Sequence, residues 1–436
     1  MPPVSMELDR GKPVDSEETQ RKRREAAAKK AELPTEQILH TIPEEQRFCP
    51  KCGARELGRV GGGKETVEFE YVPARLIRRV HLQETLACKR CEGMLVAEGP
   101  VRAIEKGHYG PGLIAHIITS KCADSIPLYR LAKQFKREGL PVTRTTMGDL
   151  LHAGARELEP LYLRLRELVP AADVVGADET PMPVLAPKQT KKGFIWTFRT
   201  ENLISLVFSP SRSGETARKV LGQSKGYLVV DGFTGYNSVT LPDRRIRVAC
   251  WAHVRRRFFE AQKTAPESRE MLELILELYR VEKQAAESRI LGTTKHLELR
   301  RSASVAVIER IVDWLKEQKP RHPPKGPLGQ AIQYTLGQWR ALQSFLEDPR
   351  IPLDNNWSER ALRVPALGRK NYLFFGGDEP GEHIAGLYSL VQTCEVNGID
   401  PQSYLADVLV KVKQHPQARI DELLPHRWTT STPNTS

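Results

Sequence analysis

A chain of 436 residues with 28% charged and 40% apolar residues is built for folded, water-exposed domains, and its length suits about two to four of them. It holds no run of about 18 apolar residues, which excludes a membrane-spanning helix, and its opening Met-Pro-Pro-Val followed by charged residues is not a signal peptide. A formal net charge of +12 points toward polyanionic partners, because each neutralised phosphate releases counterions.

Residues 1–46 form a polar arm with a basic run at Arg21–Lys30, which has few apolar positions to anchor a helix. Residues 47–99 carry two C-x-x-C pairs, Cys49/Cys52 and Cys88/Cys91, separated by thirty-five residues. Each pair is followed by a turn glycine, and strand-like stretches lie between them at Thr66–Val72 and Leu76–Glu84. Paired thiolate knuckles on hairpins predict a tetrahedral Zn²⁺ ribbon, since so short a segment cannot build a sufficient core unaided. His81 stands at the wrong spacing to replace a cysteine ligand.

Residues 100–170 read as helical. Pro111–Ser120 is apolar, and Leu128–Glu138 is amphipathic, with Leu128, Leu131, Ala132 and Phe135 at helical spacing. A turn at Gly139–Val142 then leads to Thr143, which can cap a helix over Arg144–Glu157. This is a helix-turn-helix pattern, shared by ordinary helical hairpins. If it reads DNA, Arg144, Thr145 and Thr146 are the residues that face bases or phosphates.

Residues 171–262 change period. A short buried strand ends at Asp178, two strands at Phe194–Arg199 and Leu203–Ser209 form a hairpin, and a helix follows at Gly214–Leu221. A fourth strand, Gly226–Val230, runs into Asp231, and a fifth, Arg247–Cys250, precedes a basic helix at Trp251–Gln262. The order β-β-β-α-β-α, with acids ending the first and fourth strands, predicts an α/β core of the RNase-H-like mixed-sheet type. Residues 263–350 contain no strand pattern and read as an all-α insertion, with helices at Met271–Lys283, Leu297–Lys319 and Leu328–Asp348. The core resumes over 351–415 with a short helix capped by Asp354 or Asn355, ended by Pro365, and carrying Asn355, Glu359 and Arg363 on one face. The basic segment Gly368–Gly377 and helices at Glu382–Asn397 and Pro401–Gln414 follow, and 416–436 reads as a tail, Ser/Thr/Pro/Asn-rich and disordered after Leu424.

Asp178, Asp231 and Glu359 together make a site for two hard divalent cations about 4 Å apart. Asp178 would bridge both and the others would hold one each. Glu179 and Asp354 are competing acids, and any of these carboxylates taken singly is equally readable as a solvated turn or cap. Cys250 and His253 form a Cys-x-x-His element that can be two metal ligands or a buried thiol with a capping histidine. Arg255, Arg256 and Arg257 follow it and suit phosphate positioning rather than base reading.

These motifs resemble a known family. Cys-Pro-x-Cys with Cys-x-x-Cys, Ala-Asp-Glu-Thr-Pro (177–181), Asp-Gly-x-x-Gly-Tyr (231–236), Cys-Trp-Ala-His-x-Arg-Arg (250–256), Asp-Asn-x-x-x-Glu-Arg-x-Leu-Arg (354–363) and Gly-Arg-Lys-Asn (368–371) resemble the transposases of bacterial insertion sequence 66. The resemblance runs from about residue 47 to 427. It implies a DDE transposase with Asp178, Asp231 and Glu359 as catalytic acids, working with Mg²⁺ (or Mn²⁺) to cleave DNA strands and transfer them. It implies a structural or DNA-related role for Cys250 and His253, and DNA contacts that extend to Arg360, Arg363, Arg369 and Lys370. Implied partners are terminal inverted repeats, target DNA, further copies of the chain and helper proteins of the same element. The implied location is the cytoplasm, beside the nucleoid. A catalytically silent zinc-containing DNA binder and another RNase-H-like nuclease are the alternatives.

Overall fold

The computed structural model describes residues 76–429 other than 88–93, 98, 106 and 188, together with positions 21, 24, 28, 45 and 55. The chain divides into two compact units, Met1–Ala74 and Arg75–Ser436, and the elements below all belong to the second. The basic arm, the Thr66–Val72 stretch and all four ribbon cysteines, Cys49, Cys52, Cys88 and Cys91, lie outside the described residues. Leu76–Glu84 is irregular rather than a strand. Pairing begins only at β1 (Thr85–Ala87), which meets β2 (Met94–Val96) antiparallel over three residues.

Helices α1 (Pro111–Cys122), α2 (Leu128–Arg137), α3 (Arg144–Glu157) and α4 (Glu159–Leu168) come next. The turn between α2 and α3 needs Gly139, whose φ of +90° lies where L side chains are strained. Thr143 caps α3 as its spacing predicts, its Oγ1 accepting the Thr146 N–H at 3.1 Å.

The centre is a five-stranded mixed sheet of order β5-β4-β3-β6-β7. β3 (Val174–Ala186), β4 (Gln189–Arg199) and β5 (Ile204–Ser209) form an antiparallel meander, α5 (Glu215–Leu221) crosses over, and β6 (Gly226–Val230) and β7 (Arg245–Ala249) add in parallel. The strand that carries Asp178 does not end there. It continues to Ala186, because the hairpin with β4 pairs every residue from Gly176 onward.

The outer strand β5 is closed by helix α13 (Asp378–Val396), which is buried on most of its surface. Ser389 Oγ accepts the Leu206 N–H at 2.8 Å and Thr393 Oγ1 accepts that of Ile204 at 3.1 Å. Side-chain hydroxyls thus take the edge groups that would otherwise template another strand. On the other side, β6 and β7 pack with α6 (Trp251–Ala261) and with the insertion, whose helices are α7 (Ser268–Glu287), α8 (Thr294–Leu299), α9 (Val305–Gln318), α10 (Pro327–Gly337) and α11 (Trp339–Gln343). A π-helical turn, Arg300–Ser304, joins α8 to α9.

Helix α12 (Asn356–Tyr372) corrects the sequence reading, because Pro365 lies inside it. A proline there removes the N–H that would bind the Ala361 carbonyl. Gln392 of α13 supplies the missing donor, with Nε2 at 2.9 Å from Ala361 O. Gln392→Leu is expected to cost about 1–3 kcal/mol by orphaning that buried carbonyl. In a Pro365→Ala background the restored backbone N–H should remove most of the cost. Urea melts of the four proteins of this cycle check it, and equal costs in both backgrounds would refute the compensation.

The last correction concerns the tail. After α14 (Pro401–Lys411) the chain forms 3₁₀ turns at Gln417–Leu423 and Pro425–Arg427. Ile420, Leu423 and Leu424 are buried, and Trp428 packs edge-on against Tyr404 while donating Nε1–H to Asp407 at 2.8 Å. Among the described residues, no helix is long and apolar enough to cross a membrane.

Candidate active site

Parallel pairing of β3 with β6 matches Gly176 to Val229. Continued two residues, that register sets Asp178 level with Asp231, on strands about 4.8 Å apart and on the same face. Each aspartate has one oxygen held by backbone. Asp178 Oδ1 accepts the Glu179 N–H at 2.9 Å, and Asp231 Oδ1 accepts that of Phe233 at 2.8 Å. Arg247 fixes the turn beyond β6 by donating to the carbonyls of Asp231 and Phe233 at 2.7 and 2.8 Å.

Helix α12 brings the third acid. Gly176 lets it approach, since a Cβ there would lie 2.3 Å from Ser358 Oγ and 2.6 Å from Trp357 Nε1. Asn355, 1% exposed, ties the start of the helix to β3 and to the residue that follows β7. Its Nδ2 donates to Ala177 O at 2.8 Å, one residue before Asp178, and its N–H donates to Cys250 Sγ at 3.2 Å. Glu359 sits one turn further on. Burial, with added repulsion from Glu179, Asp231 and Glu359, pushes the Asp178 carboxyl up to about 7. Asp231 and Glu359 thus both oppose the charge on Asp178, after burial and Glu179.

Both competing acids are occupied. Glu179 points the opposite way along β3, taking two hydrogen bonds from Arg212, at 2.9 and 2.7 Å, and the Tyr236 hydroxyl at 2.6 Å. Asp354 accepts the Asn356 N–H at 3.0 Å and the hydroxyl of Tyr279, from the insertion, at 2.9 Å. Asn355, Arg247, Tyr279 and Tyr236 were not singled out as site residues by sequence reasoning. Asn355, Tyr236 and Arg247 lie inside or just before the quoted motifs, which was the signal available for them, whereas Tyr279 lies in the insertion, far from any motif.

Cys250 is buried at the start of α6, and burial pushes its thiol up to about 12. His253, a turn further on, has Nδ1 at 3.8 Å from Glu359 Oε1, and Arg256 Nη2 lies 3.9 Å from Glu359 Oε2. Arg255, Arg256 and Arg257 are all exposed, and Arg257 stacks over the Tyr334 ring at 3.9 Å. Tyr334 in turn roofs the residue after Asp231, because a Cβ on Gly232 would come within 2.8 Å of its ring. Arg360, Arg363 and Lys370 are exposed along α12, whereas Arg369 turns inward to Thr180 Oγ1 at 3.1 Å and to Pro181 O. Arg144 and Thr145 are exposed at the start of α3. Thr146 is half-buried, its hydroxyl engaged with that of Thr143 at 2.9 Å.

Fold and site define an α/β protein whose mixed sheet carries a desolvated acidic centre flanked by arginines. The sequence pattern of the Transposase IS66 family matches residues 106–383, that of the IS66 C-terminal element residues 389–426, and that of the zinc-finger binding domain of transposase IS66 residues 46–92. The chain belongs to the IS66 transposase family. It is similar to two proteins of Sinorhizobium fredii (strain NBRC 101917 / NGR234), both described as uncharacterized. With y4jD it shares 33% identity over 423 residues, 91% of this chain and 80% of that protein. With y4hP it shares 30% over 414 residues, 89% of this chain and 74% of that protein.

Proposed function

We propose that this chain is a DDE transposase with an RNase-H-like core, which binds the ends of its element and carries out metal-dependent strand cleavage and strand transfer on DNA. The reading is supported by the register that sets Asp178 level with Asp231 on adjacent strands, by the tie of the Glu359 helix to the residue before Asp178, and by burial of Asp178, whose ionisation Glu179, Asp231 and Glu359 all oppose. Carboxylates that oppose one another's ionisation in a partly dry site are unfavourable alone, and a hard divalent cation would relieve them. The donor set fits Mg²⁺ or Mn²⁺: it is all oxygen and anionic, and a backbone N–H steadies one oxygen of each aspartate.

The bound ions supply Lewis-acid stabilisation of an in-line displacement at phosphorus. The protein's part is positioning. Asp178, Asp231 and Glu359 would hold the ions, and Arg247 and Asn355 hold the two flanking segments in register. Arg255 and Arg256 face the DNA backbone beside the acids, and Arg360, Arg363 and Lys370 extend that basic surface along α12. The α2–α3 pair serves as a helix-turn-helix presenting Arg144 and Thr145. The cysteines of the N-terminal segment hold Zn²⁺. Assembly as a homo-oligomer on paired ends, helper proteins of the same element, and a place in the cytoplasm at the nucleoid belong to the same proposal.

The test is cleavage of a duplex carrying the element's end, in Mg²⁺, with strand-transfer products scored separately from hydrolysis. Asp231→Asn and Glu359→Gln should each lower cleavage by roughly 10³-fold while leaving end binding intact. Full cleavage in either variant would remove that residue from the site. Hydrolysis without joined products would favour another nuclease of this fold.

A further inference from the structure

Three donor atoms outside the pair of aspartates converge beside the acidic centre. Cys250 Sγ, one nitrogen of His253 and one oxygen of Glu359 all lie within 4.8 Å of one another. Two of them are anomalous. His253 Nδ1 and Glu359 Oε1 are buried atoms without a hydrogen-bond partner among the described residues, and their 3.8 Å separation is too long for a bond between them. The third is oriented by the fold. The Cys250 sulfur accepts the Asn355 backbone N–H at 3.2 Å at the start of an eleven-residue helix, and a cation that binds it displaces the thiol proton. Arg256 approaches the other oxygen of Glu359, so Oε1 is left facing the sulfur and the imidazole.

We infer that Cys250, His253 and Glu359 form a second cation site, selective for a thiophilic divalent ion of the zinc class, that shares Glu359 with the acidic centre. The chemistry sets the selectivity. A thiolate, an imidazole and one carboxylate suit zinc in tetrahedral geometry with a fourth position open, and they suit magnesium poorly. Ion binding itself depends only on these residues. Its consequence for activity rests on the transposase reading above: zinc in this site engages Glu359 and withholds it from the magnesium centre, so zinc inhibits magnesium-dependent cleavage.

The experiment uses the full chain, equilibrated with zinc chloride, dialysed and measured by elemental analysis. Cobalt chloride is used in parallel, because Co²⁺ bound to a thiolate absorbs in the near ultraviolet. Cys250→Ser and His253→Ala should each bind about one equivalent less than the wild type, whatever the N-terminal cysteines retain, and should lose part of the cobalt–thiolate band. His253 is only half-buried, so its variant guards against a folding defect in the Cys250 variant. Asp178→Asn should keep the full complement of zinc and yet fail to cleave. Unchanged stoichiometry and cobalt spectrum in both Cys250→Ser and His253→Ala would overturn the site and leave the transposase reading standing. Full cleavage by Asp178→Asn with zinc binding intact would do the reverse.

Discussion

Asp178→Asn is expected to abolish cleavage and, at the same time, to make the metal-free protein more stable at neutral and alkaline pH. The sign follows from the proton count. Burial and three neighbouring carboxyls hold Asp178 at about 7 in the folded protein, against an ordinary value of 3.8. Between those two values the folded state keeps a proton that the unfolded chain has released, so Asp178 subtracts stability as pH rises across this window. Below about pH 4 its contribution is nil, and above about pH 7 the whole penalty is present. The upper bound is roughly 4 kcal/mol, and solvent screening of a half-buried carboxyl brings the expected gain in Asp178→Asn to about 2 kcal/mol. Urea melts in a chelator at pH 4 and pH 8 measure it. Equal stabilities of variant and wild type at pH 8 would contradict a crowded, desolvated acid. Adding Mg²⁺ should stabilise the wild type by about 2–3 kcal/mol at saturating concentrations and the variant much less.

The order of elements around the acids was legible because period-2 and period-3.6 patterns survive in buried segments. The hairpin strands, the cap at Thr143 and the all-helical stretch after α6 all follow from local pattern. What was not legible depends on partners distant in sequence. Pro365 reads as a stop, and only the amide of Gln392 on another helix lets α12 run through it. Asp178 reads as the end of a strand, and the hairpin partner β4 carries the strand on to Ala186. Which acids belong to the centre was equally open from sequence, since Glu179 and Asp354 are as acidic as their neighbours. Arg212 with Tyr236 engages the first, and Tyr279 with Asn356 the second. The segment after α14 reads as a tail because the Ser, Thr and Pro beyond Trp428 mask the spacing of Ile420, Leu423, Leu424 and Trp428. That spacing gains its meaning only against Tyr404 and Asp407 of α14.

Arg300→Met should produce the largest loss of stability of any single change outside the sheet, about 3–5 kcal/mol. Arg300 is 1% exposed, on the π-helical turn of the insertion. Its guanidinium pairs with both oxygens of Glu282, at 2.8 and 2.7 Å, and donates to the carbonyls of Phe345, Asp348 and Ile351 at 2.8, 3.3 and 3.0 Å. Those carbonyls belong to the segment that leaves the insertion and leads, through Leu353 and Asp354, into the helix of Glu359. Methionine fills much the same volume and satisfies none of them, so a carboxylate and three peptide oxygens lose their donor together. Arg310 is the control. It makes an equally short contact with Glu277, 2.6 Å, but its side chain is 57% exposed. Arg310→Met should therefore leave stability nearly unchanged. Denaturant melts distinguish the two, and comparable losses would mean that burial is not what gives Arg300 its weight. If the loss in Arg300→Met is accompanied by weaker Mg²⁺ stabilisation while Arg310→Met retains it, the insertion acts on the acidic centre by fixing the path into α12. Its Tyr279 contact with Asp354, at 2.9 Å, then holds the same path one residue before Asn355 closes it onto β3.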